Sequence, residues 1–487
     1  MGPMASGDRL TGLDASFLHL ERGGAHMHIA SCMIFEGPAP AYTDLLKHIE
    51  GRLHLVPRYR QRIAEVPLRQ GRPIWVDDPH FNIGYHLRHM ALPAPGESAD
   101  LARLCGRVFA SSLDRDKPLW EMSLVEGLAG GKFALLAKTH HALVDGISGV
   151  DLTAVLFDLS PEGQEIEPGP VWSPRPLPSP AEILAEALLE RATVPGELTR
   201  VASAAVRRPR KALQRTLSRL EAVGSLASAG TEPAPPTPLN VPIGTHRRFA
   251  WVENELSTVK EIKDALGGTV NDVVLSVVAG GLGSYLRSKG HPTRDLTLRA
   301  MVPVSVRPDA ERGDLGNQVA VMWAPLPVGE TDPVRRLRII SKAMAVVKDS
   351  GQAVGAKTLT ELSGFAPQTI MAQAARLVPR QRFFNVVVTN VPGPQFPLYL
   401  LTSKLLDVYP MVPLAEQQAL GIAVMSYNGR LDFGLNADWD ALPDVDLLAE
   451  DLRLALADMK RAAKARTKRK PRTSRKQSAD AAANISA

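Results

Sequence analysis

Residues 138–149, KTHHALVDGISG, contain the side chains best suited to chemistry. His140 and His141 follow an apolar run, and Asp145 and Gly146 come four and five residues after His141. Because the pKa of a free histidine is about 6.5, a neutral imidazole can accept the proton of an alcohol as its oxygen attacks a carbonyl. The pattern therefore indicates a general base at one of the two histidines.

The two histidines are expected to have different roles. In an extended segment neighbouring side chains point to opposite faces, so one ring would face the reaction and the other would pack or form a hydrogen bond. Asp145 is suited to fixing the loop or orienting an imidazole, and Gly146 allows a backbone conformation that a Cβ would disfavour. On the residues alone, a structural or surface histidine pair stays open as the alternative.

Two other chemistries fit the sequence less well. A zinc site needs three or four ligands, and the chain has neither an HExxH motif nor a cysteine close to the histidines. Cys32 and Cys105, the two cysteines, are far apart, which disfavours a disulfide framework and favours a reducing location. A covalent acyl-enzyme is disfavoured because the chain has no GxSxG motif.

Strands and helices must hold the histidine segment in place. Residues 133–139, FALLAKT, predict a buried strand that ends at the histidines, and helices are predicted at 41–55 and 101–112. Strands and helices mixed in both halves predict an α/β protein of two domains. In the second half the patterns predict strands at 297–306, 319–325, 384–389 and 421–426 and helices at 258–265, 271–287, 333–350 and 445–464.

Proline-rich segments divide the chain. Prolines between residues 168 and 180 exclude a helix or a central strand there, and TEPAPPTPLN at 231–240 is a second break. A helical stretch is predicted between them, at about 181–226, and the composition of the tail predicts disorder. The predicted divisions are an N-terminal domain at 8–164, a crossover at 165–240, a C-terminal domain at 241–460 and a tail at 461–487.

The positive net charge comes mainly from the tail. The chain has 57 Lys and Arg against 51 Asp and Glu, and ten of the cations lie at 460–476. Without those ten the balance is 47 − 51, or −4, so the body is mildly acidic. Residues 198–220 hold seven cations and no acid, which is typical of a basic amphipathic helix that lies on anionic lipid or packs on the protein. The tail is suited to the same lipid surface or to nonspecific contact with nucleic acid.

The sequence shows no sign of secretion or of a membrane-spanning segment. The first residues lack a basic stretch followed by an apolar one, and no uncharged apolar run reaches the roughly 20 residues that span a bilayer. Residues 273–286 are the longest apolar run and predict a buried helix. The expected location is the cytoplasm.

HHALVDG matches the HHxxxDG signature of acyltransferases that use coenzyme A or carrier-protein thioesters. These include chloramphenicol acetyltransferase, condensation domains and the bacterial wax ester synthase/diacylglycerol acyltransferases. The chain resembles the last family from about residue 8 to 460, with the motifs in the family's order. The further segments that carry the resemblance are residues 10–21, 27–31, 55–63, 116–128, 269–282, 301–308 and 389–394.

The resemblance implies two domains like chloramphenicol acetyltransferase, each a mixed sheet with flanking helices, joined by the long crossover. A tunnel between them would admit the acyl thioester from one side and the alcohol from the other. His141 would be the base, and no covalent intermediate would form. Asp145 would be mainly structural and paired with an arginine, for which Arg307 is a candidate.

The resemblance also assigns supporting residues. Asn271 and Asp272 match the family's ND motif, which is thought to support the active site across the domain interface. The PLW motif and the segment that contains Asn390 would shape the tunnel and the domain contact. From the residues alone, PLW fits core packing, Asn271 fits a helix N-cap and Asn390 fits a turn. The PLW motif consists of Pro118, Leu119 and Trp120.

The predicted activity is transfer of a long-chain acyl group from acyl-CoA to diacylglycerol, giving triacylglycerol, or to a fatty alcohol, giving a wax ester. Acyl-CoA is a co-substrate, and no other cofactor or metal is expected. The expected partners are these substrates and a membrane or lipid-droplet surface on the cytoplasmic side, without specific nucleic acid; oligomeric state is unspecified. The alternatives are a polyketide or glycolipid acceptor, or a non-catalytic lipid-binding protein.

Overall fold

Two six-stranded sheets with flanking helices form the body of the molecule. In this computed structural model, the structure describes residues 9–144, 156–164, 166–189, 233–305, 319–349 and 383–469. Both sheets mix parallel and antiparallel pairs, so the predicted α/β class with two mixed sheets is confirmed. A small two-stranded sheet, β2 (Gln61–Ala64) and β3 (Ile74–Asp77), lies beside the first.

The first sheet holds the histidine motif at its centre. The predicted strand at 133–139 is β6, and it pairs antiparallel with β1 so that His140 lies opposite His28. Buried apolar side chains along β6, such as Leu135 and Leu136, explain its central place. In spatial order the sheet contains β11 (Tyr399–Leu400), β12 (Ser403–Met411), β1 (His28–Phe35), β6 (Phe133–His140), β5 (Trp120–Glu126) and β4 (Leu87–Ala91).

Two strands of the first sheet come from the C-terminal half of the chain. β12 pairs antiparallel with β1, with Ala30 opposite Met411, and β11 pairs with β12. The segment at 399–411 falls within the predicted C-terminal domain but completes the N-terminal sheet. The alternation of polar and apolar residues indicates a strand without indicating its partner, so the sequence did not reveal this exchange.

The second sheet contains the strands predicted in the second half. β10 lies parallel to both β8 and β13, and the other pairs are antiparallel. All four predicted strands are confirmed, and β7 and β14 join them. In spatial order the strands are β7 (Arg247–Val252), β14 (Arg430–Asp438), β13 (Leu420–Tyr427), β10 (Val386–Pro392), β8 (Leu298–Ser305) and β9 (Val319–Leu326).

Helices cover both sheets. The helix predicted at 41–55 is shorter than expected, because it ends before Gly51 and the chain continues in a 3-10 turn at Leu53–Leu55. The helices predicted at 101–112, 258–265, 271–287, 333–350 and 445–464 are confirmed within about five residues at each end. The α-helices of the described residues are α1 (Gly12–Leu20), α2 (Tyr42–Glu50), α3 (Ile83–His86), α4 (Ser98–Ala110), α5 (His141–Val144), α6 (180–189), α7 (Leu256–Leu266), α8 (Val270–Ser288), α9 (Pro333–Asp349) and α10 (Val445–Arg469).

α8 is the central helix of the second half. Val273, Val274 and Leu275 are fully buried, as the all-round apolar pattern of this helix predicts. Among the described residues no single helix has both the length and the apolar character to cross a membrane. α7 and α8 together meet that test by length and composition, across a bend of 98°.

The proline-rich crossover lies against the N-terminal half. Residues 166–179 form neither helix nor strand, as the prolines predict. Arg175 donates hydrogen bonds from its backbone N and its side chain to Asp77, and Trp172 packs edge-on against Phe81. The predicted helical stretch begins at α6, but the basic segment at 198–220 and the tail beyond 469 lie outside the described residues.

Candidate active site

The histidine pair lies where β6 ends and α5 begins. The backbone N–H of His140 donates to the carbonyl of Leu119 at 2.9 Å, and that of His141 donates to the carbonyl of Met27 at 2.8 Å. The residues that immediately precede β5 and β1, the two strands that flank β6, therefore hold the two histidines by their main chain. Such bonds fix the position of both side chains relative to the sheet.

His140 is the histidine that forms hydrogen bonds inside the protein. Its side chain is 2% exposed, and its Nδ1 accepts the backbone N–H of Ala142 at 3.0 Å. An imidazole nitrogen that accepts a hydrogen bond carries no proton, so the ring proton of His140 lies on Nε2. That Nε2 faces Oε1 of Glu21 at 3.4 Å.

His141 has a different environment. Its ring stacks on Phe17, with centroids 4.1 Å apart and planes 19° from parallel. Its Nδ1 is buried and has no hydrogen-bond partner in another described residue. Burial lowers the pKa of His141 to about 4, so the ring is neutral at pH 7 and able to accept a proton.

Glu21 connects several parts of the site. Its Oε1 accepts the backbone N–H of Met27 at 2.9 Å, and its Oε2 accepts Nη2 of Arg115 at 2.6 Å. Burial alone would raise the pKa of Glu21, but the close approach of His140 and the hydrogen bonds from Arg115 and Met27 outweigh it and lower this pKa to about 2. The carboxylate is therefore ionised throughout the physiological range.

The PLW motif is part of the framework behind the histidines. Leu119 and Trp120 are 0% exposed, and Pro118 is also buried. The indole N–H of Trp120 donates to the carbonyl of Tyr59 at 2.8 Å, and its ring stacks on His86 at 4.5 Å. These contacts fit core packing, and the link to the site is the Leu119 carbonyl that accepts the backbone N–H of His140.

The ND motif lies at the N-terminus of α8. The interpretation of Asn271 as the N-cap is wrong, because Thr269 caps the helix and Asp272 completes the capping box with it. Asp272 also accepts a hydrogen bond from Ser341 at 3.2 Å, so it fixes the helix start. Asn390 donates from Nδ2 to Oδ1 of Asn271 at 3.4 Å, which brings the two asparagine motifs together.

Three predicted residues cannot be placed. Asp145, Gly146 and Arg307 lie outside the described residues. In the described part of the chain, no group of three or more His, Cys, Asp or Glu side chains is arranged to hold a metal ion. Cys32 and Cys105 are both buried and reduced.

Phe17, Glu21 and Arg115 were not singled out from the sequence. Phe17 and Glu21 lie in the segment at 10–21 that carries part of the family resemblance, and Arg115 immediately precedes the segment at 116–128. Their position in or beside these segments was the one sign in the sequence that they belong to the site. The stacking of Phe17 on His141 and the contact of Arg115 with Glu21 join residues more than 90 positions apart and therefore needed the structure.

Family models match most of the chain. A model described as the wax ester synthase/diacylglycerol acyltransferase catalytic domain matches residues 10–274. A model described as the C-terminal domain of the same family matches residues 315–460.

Similar proteins include two from Mycobacterium tuberculosis that are named as diacylglycerol O-acyltransferases. One is 35% identical over 472 residues, which cover 93% of this chain and 90% of the relative. The other, tgs1, is 33% identical over 454 residues, which cover 92% of this chain and 95% of the relative.

Two solved structures show the same fold. The wax ester synthase/diacylglycerol acyltransferase from Marinobacter aquaeolei VT8 matches with a TM-score of 0.66 and 29% identity, covering 93% of this chain and 99% of that one. The starter condensation domain of rhizomide synthetase matches with a TM-score of 0.54 and 13% identity, covering 94% of each chain. The second likeness concerns the fold alone.

Proposed function

This chain belongs to the wax ester synthase/diacylglycerol acyltransferase family, and from this premise we propose that it transfers a long-chain acyl group from acyl-CoA to diacylglycerol or a fatty alcohol, with His141 as the general base. Membership confirms the acyltransferase interpretation of the sequence. The observation that carries the mechanism is the neutral, partly buried ring of His141 at the end of β6.

One nitrogen of His141 is suited to the chemistry. Nδ1 is buried, so an acceptor alcohol has no access to it. Nε2 is then the nitrogen that accepts the hydroxyl proton, and Nδ1 carries the proton of the neutral ring.

The reaction proceeds by direct attack. As His141 takes the hydroxyl proton, the acceptor oxygen forms a bond to the thioester carbonyl carbon. The tetrahedral intermediate then loses its carbon–sulfur bond, and the protonated ring returns the proton to the coenzyme A sulfur. The products are an ester and free coenzyme A, and His141 is neutral again.

The negative oxygen of the intermediate needs a hydrogen-bond donor. Asn271 is our candidate, because its Oδ1 accepts from Asn390 and its own amide N–H groups are then left to donate elsewhere. A donor of this kind typically contributes about 2.7–4 kcal/mol to the transition state. The tunnel between the two halves would bring the thioester to both residues.

The substrates suggest where the enzyme works. Long-chain acyl-CoA and diacylglycerol both partition into membranes, and the segment at 198–220 holds seven cations and no acid. We place the enzyme on the cytoplasmic face of an anionic membrane or on lipid droplets, attached peripherally.

Vesicle flotation tests this location. The protein should float with vesicles that contain phosphatidylserine, and changing four cations of the 198–220 segment to Gln should reduce flotation at least fivefold. The same number of changes at exposed cations elsewhere is the control. Equal flotation of both variants would contradict the role of this segment. The four test positions are Arg207, Arg208, Arg210 and Lys211, and the four control positions are Lys47, Arg107, Lys260 and Arg338.

Acceptor-dependent release of coenzyme A from palmitoyl-CoA tests the function. Dioleoylglycerol and hexadecanol are compared with a hydroxylated polyketide and a glycolipid as acceptors. Release with either of the first two supports the proposal and identifies the acceptor class. Release only with the others would replace the proposed acceptor, and palmitoyl-CoA binding without any release would indicate a lipid-binding protein.

A further inference from the structure

We propose that Glu21 is a positioning residue for His141, and that it acts through the neighbouring His140. This inference rests on the proposed function, because it concerns how the general base is held. Glu21 is the residue that directly follows α1, and its side chain is 15% exposed. Its two carboxylate oxygens have contacts with three different segments of the chain.

The first contact fixes the tautomer of His140. The backbone N–H of Ala142 occupies Nδ1, so only Nε2 carries a proton, and Oε1 of Glu21 is the acceptor that faces it. The ring of His140 is thus held from both sides. Because His141 lies between His140 and Ala142 in the chain, the hydrogen bond from Ala142 and the Glu21 contact together fix the turn from which the His141 side chain projects.

The second contact reaches His141 through a single residue. Oε1 of Glu21 accepts the backbone N–H of Met27, and the carbonyl of Met27 accepts the backbone N–H of His141. The carboxylate therefore sets the position of Met27, the residue before β1, to which the backbone of His141 is hydrogen-bonded.

The third connection reaches the face of the His141 ring through Phe17. Phe17 lies in α1, one helical turn before Glu21, and its ring stacks on that of His141 at 4.1 Å. Arg115 donates to Oε2 of Glu21 and also to the carbonyl of Leu18 at 3.0 Å. Arg115 therefore fixes the last turn of α1 to the rest of the domain. This also fixes the ring of Phe17, which covers His141.

The buried charge of Glu21 is compensated in place. Arg115 supplies the opposite charge, and three N–H groups, two of Arg115 and the backbone N–H of Met27, donate hydrogen bonds to the two oxygens. A carboxylate held by these partners is confined to one side-chain conformation. A residue that positions another side chain must be confined in this way. A neutral amide at this position would keep the shape and lose the attraction of Arg115.

The expected consequence is a loss of turnover without a loss of binding. A displacement of about 1 Å at a reacting group can reduce rate about 100-fold. The variant Glu21→Gln should lower kcat by about 10- to 100-fold and change the KM for palmitoyl-CoA by less than about threefold, since the described contacts of Glu21 hold the base. Glu126→Gln is the matched control, because Glu126 forms a surface pair with His89 at 2.7 Å in the same domain.

A double-mutant cycle separates positioning from a general loss of structure. His140→Asn keeps an acceptor for the Ala142 amide but removes Nε2, the atom that meets Glu21. If Glu21 acts mainly through His140, the loss of kcat in the double variant should be smaller than the product of the two single losses. Independent, multiplicative losses would overturn the proposal, as would a kcat of Glu21→Gln within threefold of wild type.

One readout does not depend on turnover and so distinguishes this proposal from the proposed function. In wild-type protein labelled with carbon-13 histidine, the Cδ2 shift of His140, assigned with the His140→Asn variant, should report the Nε2–H tautomer at pH 7. A ring protonated on Nδ1 would overturn the Glu21 proposal even in an active enzyme. If the protein shows the expected tautomer but no acyl transfer, the positioning role of Glu21 stands and only the proposed function is refuted.

Discussion

The burial of His141 has a direct consequence for the pH dependence of turnover. Burial lowers the pKa of His141 to about 4, so the neutral, base-competent form persists as the pH falls. At pH 5.5 a pKa of about 4 leaves about 97% of the ring neutral, whereas an unperturbed pKa of about 6.5 would leave about 9%. The acid limb of kcat/KM should therefore have its midpoint near pH 4, and kcat/KM at pH 5.5 should be about tenfold above that of a solvated histidine.

The perturbation that tests this reasoning is Phe17→Ala. Phe17 covers one face of the His141 ring at 4.1 Å, and its removal admits water to that face. Because water favours the charged form, the pKa of His141 should rise by about one unit or more, and the midpoint of the acid limb should move up with it.

The assay is kcat/KM for palmitoyl-CoA against pH from 3 to 8, from coenzyme A release at subsaturating palmitoyl-CoA. Tyr42→Ala is the control, since Tyr42 stacks on the surface ring of His89 at 5.4 Å, away from the histidine motif. Its acid limb should coincide with that of wild type. A wild-type midpoint near pH 6.5, or no shift in Phe17→Ala, would refute the assignment of the titrating base to a desolvated His141.

Three further results are expected. Asn271→Asp should lower kcat by about 100- to 1,000-fold with a smaller change in KM, because it replaces an amide donor with an acceptor; unchanged kcat would remove Asn271 as the oxyanion donor. Thr269→Ala should lower the free energy of unfolding in urea by about 1 kcal/mol through loss of the α8 cap, and equal midpoints would contradict that cap. Burial lowers the pKa of His28 to about 3 and that of His141 to about 4. Below pH 6.5 these histidines bind protons in the unfolded chain but not in the folded protein. The free energy of unfolding should therefore fall as the pH falls, by about 2 kcal/mol per histidine at pH 5. Urea midpoints that do not change between pH 7 and 5 would contradict this linkage.

The local elements could be predicted well from the sequence. Short apolar runs bounded by turn residues predicted four of the six strands of the second sheet, and the run at 133–139 predicted β6 with an error of one residue at its end. Apolar periodicity found α8 because this helix is buried all round. These features depend on neighbours within a few residues, which a pattern in the sequence records directly.

Features that depend on distant parts of the chain could not be predicted. The pairing of β12 with β1 joins residues almost 380 positions apart, and nothing in either strand names its partner. The helix cap was assigned to Asn271 instead of Thr269, since both residue types can cap and two positions separate them. Family resemblance identified the histidines, but the stacking of Phe17 and the carboxylate of Glu21 emerged only from the fold.

The central claim is that His141, and not His140, is the base. The most direct measurement is dioleoylglycerol-dependent release of coenzyme A from palmitoyl-CoA by wild type, His141→Ala and His291→Ala, which changes an exposed histidine. Acceptor-dependent release should fall by at least about 1,000-fold in His141→Ala and stay at the wild-type level in His291→Ala. Release by a folded His141→Ala protein within about tenfold of wild type would contradict the assignment of the general base.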